Sequence, residues 1–439
     1  MYSKTLYNYF TIYGETMREV IKAIIKEYQE KRKDIIQRDL KLPKPKINKV
    51  VSVIGIRRCG KTTLLFDLFK KTENSIFFPL DDDRIYPPTI KTLQEIIKIG
   101  KEIYPNEQIT FFFDEIQEIE NWEVVIKRLA EGEGHKVYLT GSSSKLLSKE
   151  IATQLRGRGL SVELFPLSFK EYLKFKDFEM DEVLTEQEKA LLLKYLDDYL
   201  LYGGFPEVVL EDENMEEILR EYLRTIIFRD IVERHNVKNI QVLKLFIKFL
   251  VNSHTKKVSI NKLSNHFKSV GVSVGKNTLY EYLGYLNDCY FVFPLKKFPY
   301  SLKEINQSLS KPYIIDNGFI NIFDIKHSED KGKYLENAVF IELRRRGFVE
   351  NENLFYYEDT IGEVDFLIKE NDEVKYLVNV CYELNFDNYE REVKKFVKIG
   401  KKLNCENLIL ITFDKEDVIE EDGGEVKIIP FWKWSYNIY

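Results

Sequence analysis

The segment that most constrains this chain is residues 55–62, which follow the spacing G-x-x-x-x-G-K-T. It comes after Val50–Ile54, an apolar run typical of a buried strand, and before residues 61–69, whose apolar positions recur at helical spacing. Strand, glycine loop and helix together predict a phosphate-binding loop, because glycines let consecutive N–H groups turn toward phosphate oxygens. A chance glycine turn before a helix is the alternative, and the flanking strand and helix disfavour it.

The residues of this loop have separate expected roles. Gly55 and Gly60 allow the backbone to curl, Lys61 should reach the β- and γ-phosphates, and Thr62 should ligate Mg²⁺. The other positions expected to line the nucleotide are Ile56, Arg57, Arg58, Cys59 and Thr63. ATP and Mg²⁺ are therefore the predicted cofactors, and the lack of an obvious N-K-x-D sequence for guanine favours adenine.

A second apolar run, residues 109–113, ends in two carboxylates, Asp114 and Glu115. A strand buried on both faces would deliver Asp114 beside the Mg²⁺ site, and Glu115 could polarise the attacking water. Residues 137–140 predict another short strand, followed by Gly-Ser-Ser-Ser, where a hydroxyl could bond the γ-phosphate or cap the next helix. Alternating strands and helices predict a parallel α/β sheet with helices on both faces.

Composition narrows the class of protein. The 439 residues suggest about three domains, and 44% hydrophobic with 31% charged residues is ordinary for a globular protein. With no uncharged apolar run of 18 residues and no signal-peptide pattern at residues 1–5, we expect no membrane partner. Four scattered cysteines and five histidines disfavour disulfide, zinc and histidine-metal sites and fit a cytoplasmic protein. Abundant Lys, Glu and Ile resemble a thermophile's usage, although a biased genome could produce the same.

Taken together, these motifs resemble the predicted AAA+-superfamily ATPases of archaea and bacteria, which carry a C-terminal domain of unknown function related to the PD-(D/E)XK nucleases. The resemblance rests on residues 55–62, 114–115, 140–147, 155–158, 165–172, 202–207, 228–231, 313–318 and 363–368. It implies that Ser143 is the sensor residue after the strand, where the family often has Asn. It also implies that Arg158 stabilises the transferring phosphate, in cis or from a neighbouring subunit of a homo-oligomer; Arg156 competes for that role, and an ordinary surface arginine is the alternative.

The resulting expectation is an α/β protein of several domains. Its fold class is a P-loop NTPase (AAA+/ASCE) parallel sheet with a helical lid, a winged-helix domain and a C-terminal restriction-endonuclease-like α/β domain. The expected borders are 1–48 for an N-terminal helical extension, 49–165 for the ATPase core, 166–235 for the lid, 236–328 for the winged helix and 329–439 for the nuclease-like domain.

The winged-helix prediction depends on three helical patterns and a charge surplus. The second and third patterns, residues 259–269 and 277–287, are separated by a Gly-containing turn, and two strand-like runs follow. Between residues 236 and 325, twelve lysines face five acidic residues in a chain whose net charge is −5. DNA is therefore the predicted partner, and the side chains expected in a major groove are Lys276, Asn277, Thr278 and Tyr280. A winged helix used for protein contacts is the alternative.

Residues 329–439 match the nuclease pattern only in part. Glu336 and Asp365 match two of the acids by position, but the strand that should read (D/E)-x-K reads Asn379-Val-Cys381. Glu383, expected on the same strand face, could replace the missing acid in a second metal site. We therefore expect a DNA-contacting or structural domain that does not cut DNA.

The predicted function is Mg-ATP hydrolysis coupled to action on DNA. Two alternatives remain open: a nucleotide-switched scaffold that binds protein partners, and an ATP-independent Mg²⁺ nuclease. DNA-dependent ATP turnover that disappears at high salt would separate the first function from the scaffold.

Overall fold

The computed structural model of the chain describes residues 16–44, 49–141, 159–181, 183–211, 213–298, 309–323 and 331–436. The chain divides into two compact units, Met1–Leu164 and Phe165–Tyr439, which we call the N-terminal unit and the C-terminal unit. Within the described ranges, no helix combines the length and the apolar character that crossing a bilayer requires.

The N-terminal unit alternates strands and helices. Its helices are α1 (Met17–Glu30), α2 (Lys61–Lys70), α3 (Ile90–Ile103) and α4 (Trp122–Glu131). Its strands are β1 (Val50–Ile54), β2 (Ser75–Pro79), β3 (Thr110–Asp114), β4 (Lys136–Gly141) and β5 (Gly159–Glu163). The strands form one parallel sheet in the order β2-β3-β4-β1-β5.

The strand order decides which side chains meet at the carboxyl edge of this sheet. Strand β4 lies between β1 and β3, so the glycine loop after β1 and the carboxylates after β3 flank the end of β4. The central strands are buried on both faces, as their apolar runs predict. Gly100 lets α3 approach the sheet closely, since a Cβ there would lie 2.9 Å from the Phe111 ring.

Helix α1 packs on this sheet, against β2. Its N-terminus has a capping box between Thr16 and Glu19, and Tyr28 near its end stacks on Phe77 with ring centroids 5.0 Å apart. The periodicity predicts a helix over residues 15–39, which is too long. The helix ends at Glu30, and residues 31–44 continue without regular structure.

The C-terminal unit is a helical region followed by a mixed sheet. Its helices are α5 (Phe169–Phe175), α6 (Glu186–Tyr202), α7 (Pro206–Leu210), α8 (Met215–Thr225), α9 (Ile240–Asn252), α10 (Ile260–Ser269), α11 (Lys276–Asp288), α12 (Asn317–Asn321), α13 (Lys331–Arg345), α14 (Phe386–Tyr389), α15 (Phe396–Lys402) and α16 (Phe431–Ser435), with π-helical turns at Ile226–Glu233 and Glu390–Lys395. Its strands are β6 (Val292–Lys296), β7 (Ser310–Ile314), β8 (Leu354–Glu358), β9 (Glu363–Glu370), β10 (Glu373–Val380), β11 (Leu408–Thr412), β12 (Asp417–Glu421) and β13 (Gly424–Pro430).

Two sheets organise this unit. Strands β6 and β7 form an antiparallel pair, while the larger sheet has the order β12-β13-β11-β10-β9-β8. In the larger sheet β8, β9 and β10 are antiparallel neighbours, and β11 joins β10 in parallel after the helical segment from α14 to α15. This segment is predicted as one helix, but a π-helical turn interrupts it. Helix α13 is buried along most of its length, which fixes it against the sheet and against β7.

Candidate functional site

The glycine loop connects β1 to α2 in a strained, curled conformation. Gly55 has φ +149°, and a Cβ there would lie 2.1 Å from the Leu164 carbonyl oxygen. Arg58 and Gly60 both have left-handed φ values, +71° and +100°. Left-handed residues within a short loop turn successive N–H groups toward one concave side, which is the geometry that binds phosphate oxygens. The loop therefore fits the triphosphate of a nucleotide.

Three side chains of residues 55–62 are buried. Ile56 and Cys59 are fully buried, and the Cys59 thiol donates to the Leu164 carbonyl oxygen. Lys61, at the start of α2, is also buried, and its Nζ donates to the carbonyl oxygens of Gly55 at 3.0 Å and Ile56 at 2.9 Å. A cation held at the centre of the loop is where phosphate charge would be neutralised.

Asp114 is the last residue of β3, and its carboxylate is buried at the edge of the sheet. It accepts a hydrogen bond from the Thr140 hydroxyl. Burial, and then the neighbouring charge of Glu115, raise the pKa of Asp114 to about 7, although the Thr140 and Thr62 hydroxyls act in the opposite direction. Thr62 and Asp114, the two predicted Mg²⁺ ligands, are thus close enough for the Thr62 hydroxyl to affect the carboxylate.

Glu115 follows in a left-handed backbone conformation, with φ +52°. For a residue with a Cβ this costs about 1–2 kcal/mol, so the surrounding contacts must hold it. Its N–H donates to the Thr140 hydroxyl at 2.9 Å, and its carboxylate accepts from the Gln117 amide. The turn directs Glu115 away from the strand while Asp114 stays buried, which separates the two carboxylates for different tasks.

Thr140 is the residue of this site that sequence reasoning overlooked. It is the next-to-last residue of β4, its side chain is fully buried, and it bonds both Asp114 and the Glu115 backbone. The signal in the sequence was a threonine near the end of an apolar strand, but its importance follows from the position of β4 between β1 and β3. Ser143 and Arg158, the predicted sensor and arginine, lie outside the described residues.

A third acidic side chain, Asp81, lies close enough to affect this cluster electrostatically. Burial and the charge of Glu115 raise the pKa of Asp81, and Asp81 in turn raises the pKa of Asp114. Repulsion among three carboxylates near one strand edge is relieved by a cation. The donor set, a hydroxyl and carboxylates, is the set that Mg²⁺ prefers.

Residues 31–44 contact the glycine loop and the start of α2, and the sequence did not predict these contacts. The Arg38 guanidinium donates to the Cys59 carbonyl oxygen at 2.8 Å, and Lys33 Nζ donates to the Thr63 hydroxyl at 3.2 Å. Farther along, the Tyr138 hydroxyl donates to the Pro43 carbonyl oxygen. The segment therefore braces the loop from outside.

The predicted DNA-contacting residues begin helix α11. Lys276, Asn277 and Tyr280 are exposed, whereas Thr278 is half-buried. Helix α10 precedes them across a turn in which Gly271 has φ +82°. The structure thus brings the four side chains to one helix start, on the solvent side of the α10–α11 pair.

The predicted acids of residues 329–439 come together only in part. Glu336 on α13 and Asp365 on β9 both lie next to Lys311 Nζ, at 3.4 and 3.3 Å. Glu383 was predicted to lie on the same strand face, and this prediction is wrong. Strand β10 ends at Val380, and Glu383 follows it as an exposed residue in a bend. The Glu383 carbonyl oxygen accepts a hydrogen bond from the Asn388 side chain. Among the described side chains, no group of three His, Cys, Asp or Glu is arranged to hold a metal ion.

Family models match three consecutive parts of the chain. Residues 47–173 match an AAA domain. Residues 193–329 match a domain of unknown function, DUF8612, and residues 331–434 match another, DUF4143. The AAA match covers β1 to β5 and the carboxylates described above, so the N-terminal unit has a P-loop NTPase fold of the AAA type.

Full-length relatives extend the comparison to nearly the whole chain. The uncharacterized protein MJ1544 of Methanocaldococcus jannaschii is 45% identical over 415 residues, covering 92% of both chains. An uncharacterized protein of Haemophilus influenzae is 31% identical over 411 residues, covering 91% of this chain and 98% of the relative. The solved structure of C. elegans PCH-2 aligns with 48% of this chain and 68% of its own chain at 13% identity, with a TM-score of 0.28. By its identity and coverage, this chain belongs to the protein family of MJ1544.

Proposed function

We propose that this protein is a Mg²⁺-dependent ATPase. The observation that carries the proposal is the closeness of Thr62, at the start of α2, to Asp114, at the end of β3, where the Thr62 hydroxyl acts to lower the pKa of the buried carboxylate. A buried carboxylate and a hydroxyl at the start of the helix that follows a curled glycine loop suit the binding of a nucleotide with its metal.

Each residue of the nucleotide site has its own proposed role. Thr62 and Asp114 would hold Mg²⁺, which supplies positive charge to the phosphates when bound. Lys61 and the loop N–H groups hold the β- and γ-phosphates in place. Glu115 accepts a hydrogen bond from the water that attacks the γ-phosphate and so orients it. Ser143 and Arg158 remain proposed partners of the γ-phosphate from the sequence alone.

The first test is ATP hydrolysis by the full chain. We expect Lys61→Ala to abolish turnover and weaken nucleotide binding, since the phosphates lose the cation that reaches them. The matched control is Lys71→Ala, because Lys71 follows the same helix but is exposed and pairs with Asp67 at 2.7 Å. Turnover near wild type in Lys61→Ala, with Lys71→Ala also unaffected, would contradict the proposal.

We further propose that the ATPase acts with DNA through the exposed start of α11. Lys276, Asn277 and Tyr280 offer a cation, an amide and an exposed aromatic ring on one helix face. These are side chains that contact phosphates and base edges. Two of the twelve lysines counted between residues 236 and 325 do not offer free positive charge to DNA. Lys311 is buried, and Lys257 pairs with Glu358 and Glu363, so the charge surplus is weaker support for DNA binding than the count of lysines suggests.

The test is DNA binding and DNA-stimulated ATP turnover as a function of salt. Lys276→Ala should weaken binding and lower the salt slope by about one unit, as expected for loss of one phosphate contact. Lys248→Ala on α9 is the control, because it removes an equally exposed lysine from another helix. If duplex and single-stranded DNA neither bind at low salt nor change turnover, the protein-binding scaffold becomes the better explanation.

A further inference from the structure

Lys311 on β7 occupies the centre of a group of carboxylates in the C-terminal unit. Its side chain is only 3% exposed, and its ammonium lies 2.7 Å from Glu363, 3.3 Å from Asp365 and 3.4 Å from Glu336. These three acids come from β9 and α13. A lysine so deeply buried needs opposite charges around it, and here it has three.

Other groups also bond the carboxylates of this cluster. The Tyr313 hydroxyl donates to Glu336 at 2.6 Å, and the Val380 N–H donates to Asp365 at 3.0 Å. At the rim, Lys257 binds the second oxygen of Glu363 at 2.8 Å and also Glu358. Lys257 therefore contacts the cluster from outside, whereas Lys311 lies within it.

Electrostatics favour a cation at the central position. Burial acts to lower the pKa of Lys311, but the charges of Glu336, Asp365 and Glu363 outweigh it and raise that pKa above its usual value. Lys311 therefore stays protonated at neutral pH. Without it, three carboxylates whose side chains are 13%, 20% and 34% exposed would face each other, which is unfavourable.

The geometry of the cluster suits an ammonium ion and not a metal. The nitrogen-to-oxygen distances of 2.7 to 3.4 Å match hydrogen bonds from an ammonium. Ligand oxygens lie about 2.0–2.1 Å from Mg²⁺ and about 2.3–2.6 Å from Ca²⁺. A metal at this point would need both the departure of Lys311 and a contraction of the carboxylates around it.

We propose that Lys311 is a built-in cation that takes the position of a metal ion among Glu336, Glu363 and Asp365. In the wild-type chain this ammonium keeps metal ions out of the cluster. Replacing Lys311 with an uncharged side chain of similar length converts the cluster into a site for a hard, oxygen-preferring cation. The proposal does not depend on the ATPase reaction, because it concerns residues of the C-terminal unit alone.

The proposal explains why the C-terminal unit should not cut DNA even though Glu336 and Asp365 lie close together. Metal-assisted phosphodiester hydrolysis requires a metal with open coordination positions and access for the phosphate. Here the same carboxylates are committed to an ammonium whose side chain is almost entirely buried. Supply of metal alone would not activate such a centre.

The test uses terbium ions and tyrosine-sensitised luminescence on the full chain. Tyr313 bonds Glu336, and the Tyr356 ring lies 5.5 Å from Lys311 Nζ, so a bound ion would have aromatic donors beside it. All proteins carry Asp114→Ala, which removes the carboxylate of the two proposed metal ligands in the N-terminal unit. We expect Lys311→Met to bind terbium roughly tenfold or more tightly than the chain that retains Lys311, since three carboxylates then face one cation.

Two further variants make the result specific to the cluster. Lys257→Met removes a lysine from the rim and should not create a site. Adding Asp365→Asn to Lys311→Met should remove the new signal. The proposal is overturned if the chain that retains Lys311 gives emission that Asp365→Asn abolishes, or if folded Lys311→Met binds no more tightly than the chain with Lys311.

Failure of Lys311→Met to fold is also informative. The carboxylates would then lack a neutralising cation, and Ca²⁺ or terbium should restore the folded state, as measured by circular dichroism and thermal unfolding. Restoration by either ion supports the proposal. A variant that stays unfolded in both ions contradicts it, because the cluster then cannot accept a metal in place of the lysine.

Discussion

At the scale of single residues, the site depends on two carboxylates that differ in environment although they are adjacent in sequence. Asp114 is buried and accepts a hydrogen bond from the Thr140 hydroxyl, whereas Glu115 leaves the strand in a left-handed conformation. This difference fits the roles proposed for them, a metal ligand at Asp114 and a base that orients water at Glu115. Two substitutions test this division of roles.

Glu115→Gln retains the shape of the side chain and removes its charge. We expect the variant to bind ATP with nearly wild-type affinity and to hold it unhydrolysed, since the charge that orients the water is lost. The measurement is retention of labelled ATP together with single-turnover hydrolysis. If affinity and turnover disappear together, Glu115 supports the structure of the site and not its chemistry.

Thr140→Val removes one hydroxyl without changing the size of the side chain. The Asp114 carboxylate and the Glu115 N–H each lose a buried partner, which should cost about 1–3 kcal/mol in the free energy of unfolding. Turnover should fall more than ATP affinity, because both carboxylates lose their placement. Thr140→Ser keeps the hydroxyl and should recover most of the activity; wild-type kcat in Thr140→Val would assign Thr140 to packing alone.

The sequence indicates some residues of these clusters but not others. Lys61, Thr62 and Asp114 could be predicted because local spacing fixes their chemistry. Thr140 could not be ranked above its neighbours, since only the position of β4 between β1 and β3 brings its hydroxyl to both carboxylates. Lys311 was counted as surface charge, because nothing local indicates that residues 25 and 54 positions later will surround it.

At the scale of elements, hydrophobic periodicity located the long helices and failed at short or edge segments. The periodic pattern over residues 240–252 coincides with α9 (Ile240–Asn252). Strand β5 was not predicted, because its side chains are partly exposed and it gains its structure by pairing with β1. Strands β12 and β13 were also overlooked, since β12 is an edge strand whose charged residues face solvent.

The structure explains the pair of glycines, Gly203 and Gly204, at the end of α6. Gly203 closes this helix with φ +78°, and the next N–H, of Gly204, donates to the buried carboxylate of Asp316 at 2.7 Å. Asp316 also accepts from the Gly318 N–H at 2.9 Å at the start of α12. One carboxylate thus joins two glycine-containing segments that lie far apart in the sequence.

We therefore expect Gly203→Ala to be strongly destabilising. A Cβ at this position would lie 1.6 Å from an Asp316 carboxylate oxygen, and the left-handed φ adds about 1 kcal/mol of strain. Gly284→Ala inside α11 is the control, because among the described residues no atom outside its chain neighbours and the backbone of its own helix would lie within 4 Å of the added Cβ, and the change should stabilise the chain by about 0.5–1 kcal/mol. Chemical denaturation measures both, and equal stability of the two variants would show that the Asp316 junction is not required.

At the scale of the whole molecule, buried carboxylates determine how stability should depend on pH. Burial raises the pKa of Asp114 and of Asp316 to about 7, and burial also raises the pKa of Glu336. In the unfolded chain these groups titrate near pH 4. Between about pH 4 and 7 the folded state thus binds more protons than the unfolded state, so stability should fall as pH rises through this range.

Other groups act in the opposite direction at lower pH. Burial opposes ionisation of Asp359, but hydrogen bonds, first among them that from Lys402, lower its pKa to about 2. The stability that such a carboxylate contributes is present above pH 4 and is lost as the pH falls toward 2. We therefore expect the thermal midpoint of the nucleotide-free protein to be highest near pH 4 and to decline as the pH rises through 7.

Two comparisons connect this pH profile to the proposed site. Asp114→Asn cannot ionise, so its decline between pH 5 and 8 should be shallower than that of the wild type, whereas Asp359→Asn should change only the acid side. Mg-ATP should stabilise the wild type more at pH 8 than at pH 5, because binding favours the ionised Asp114 carboxylate. Thermal unfolding across this range, with and without Mg-ATP, measures each effect. A midpoint that rises steadily from pH 5 to 8 without nucleotide would mean that these buried carboxylates are ionised in the folded protein at little cost.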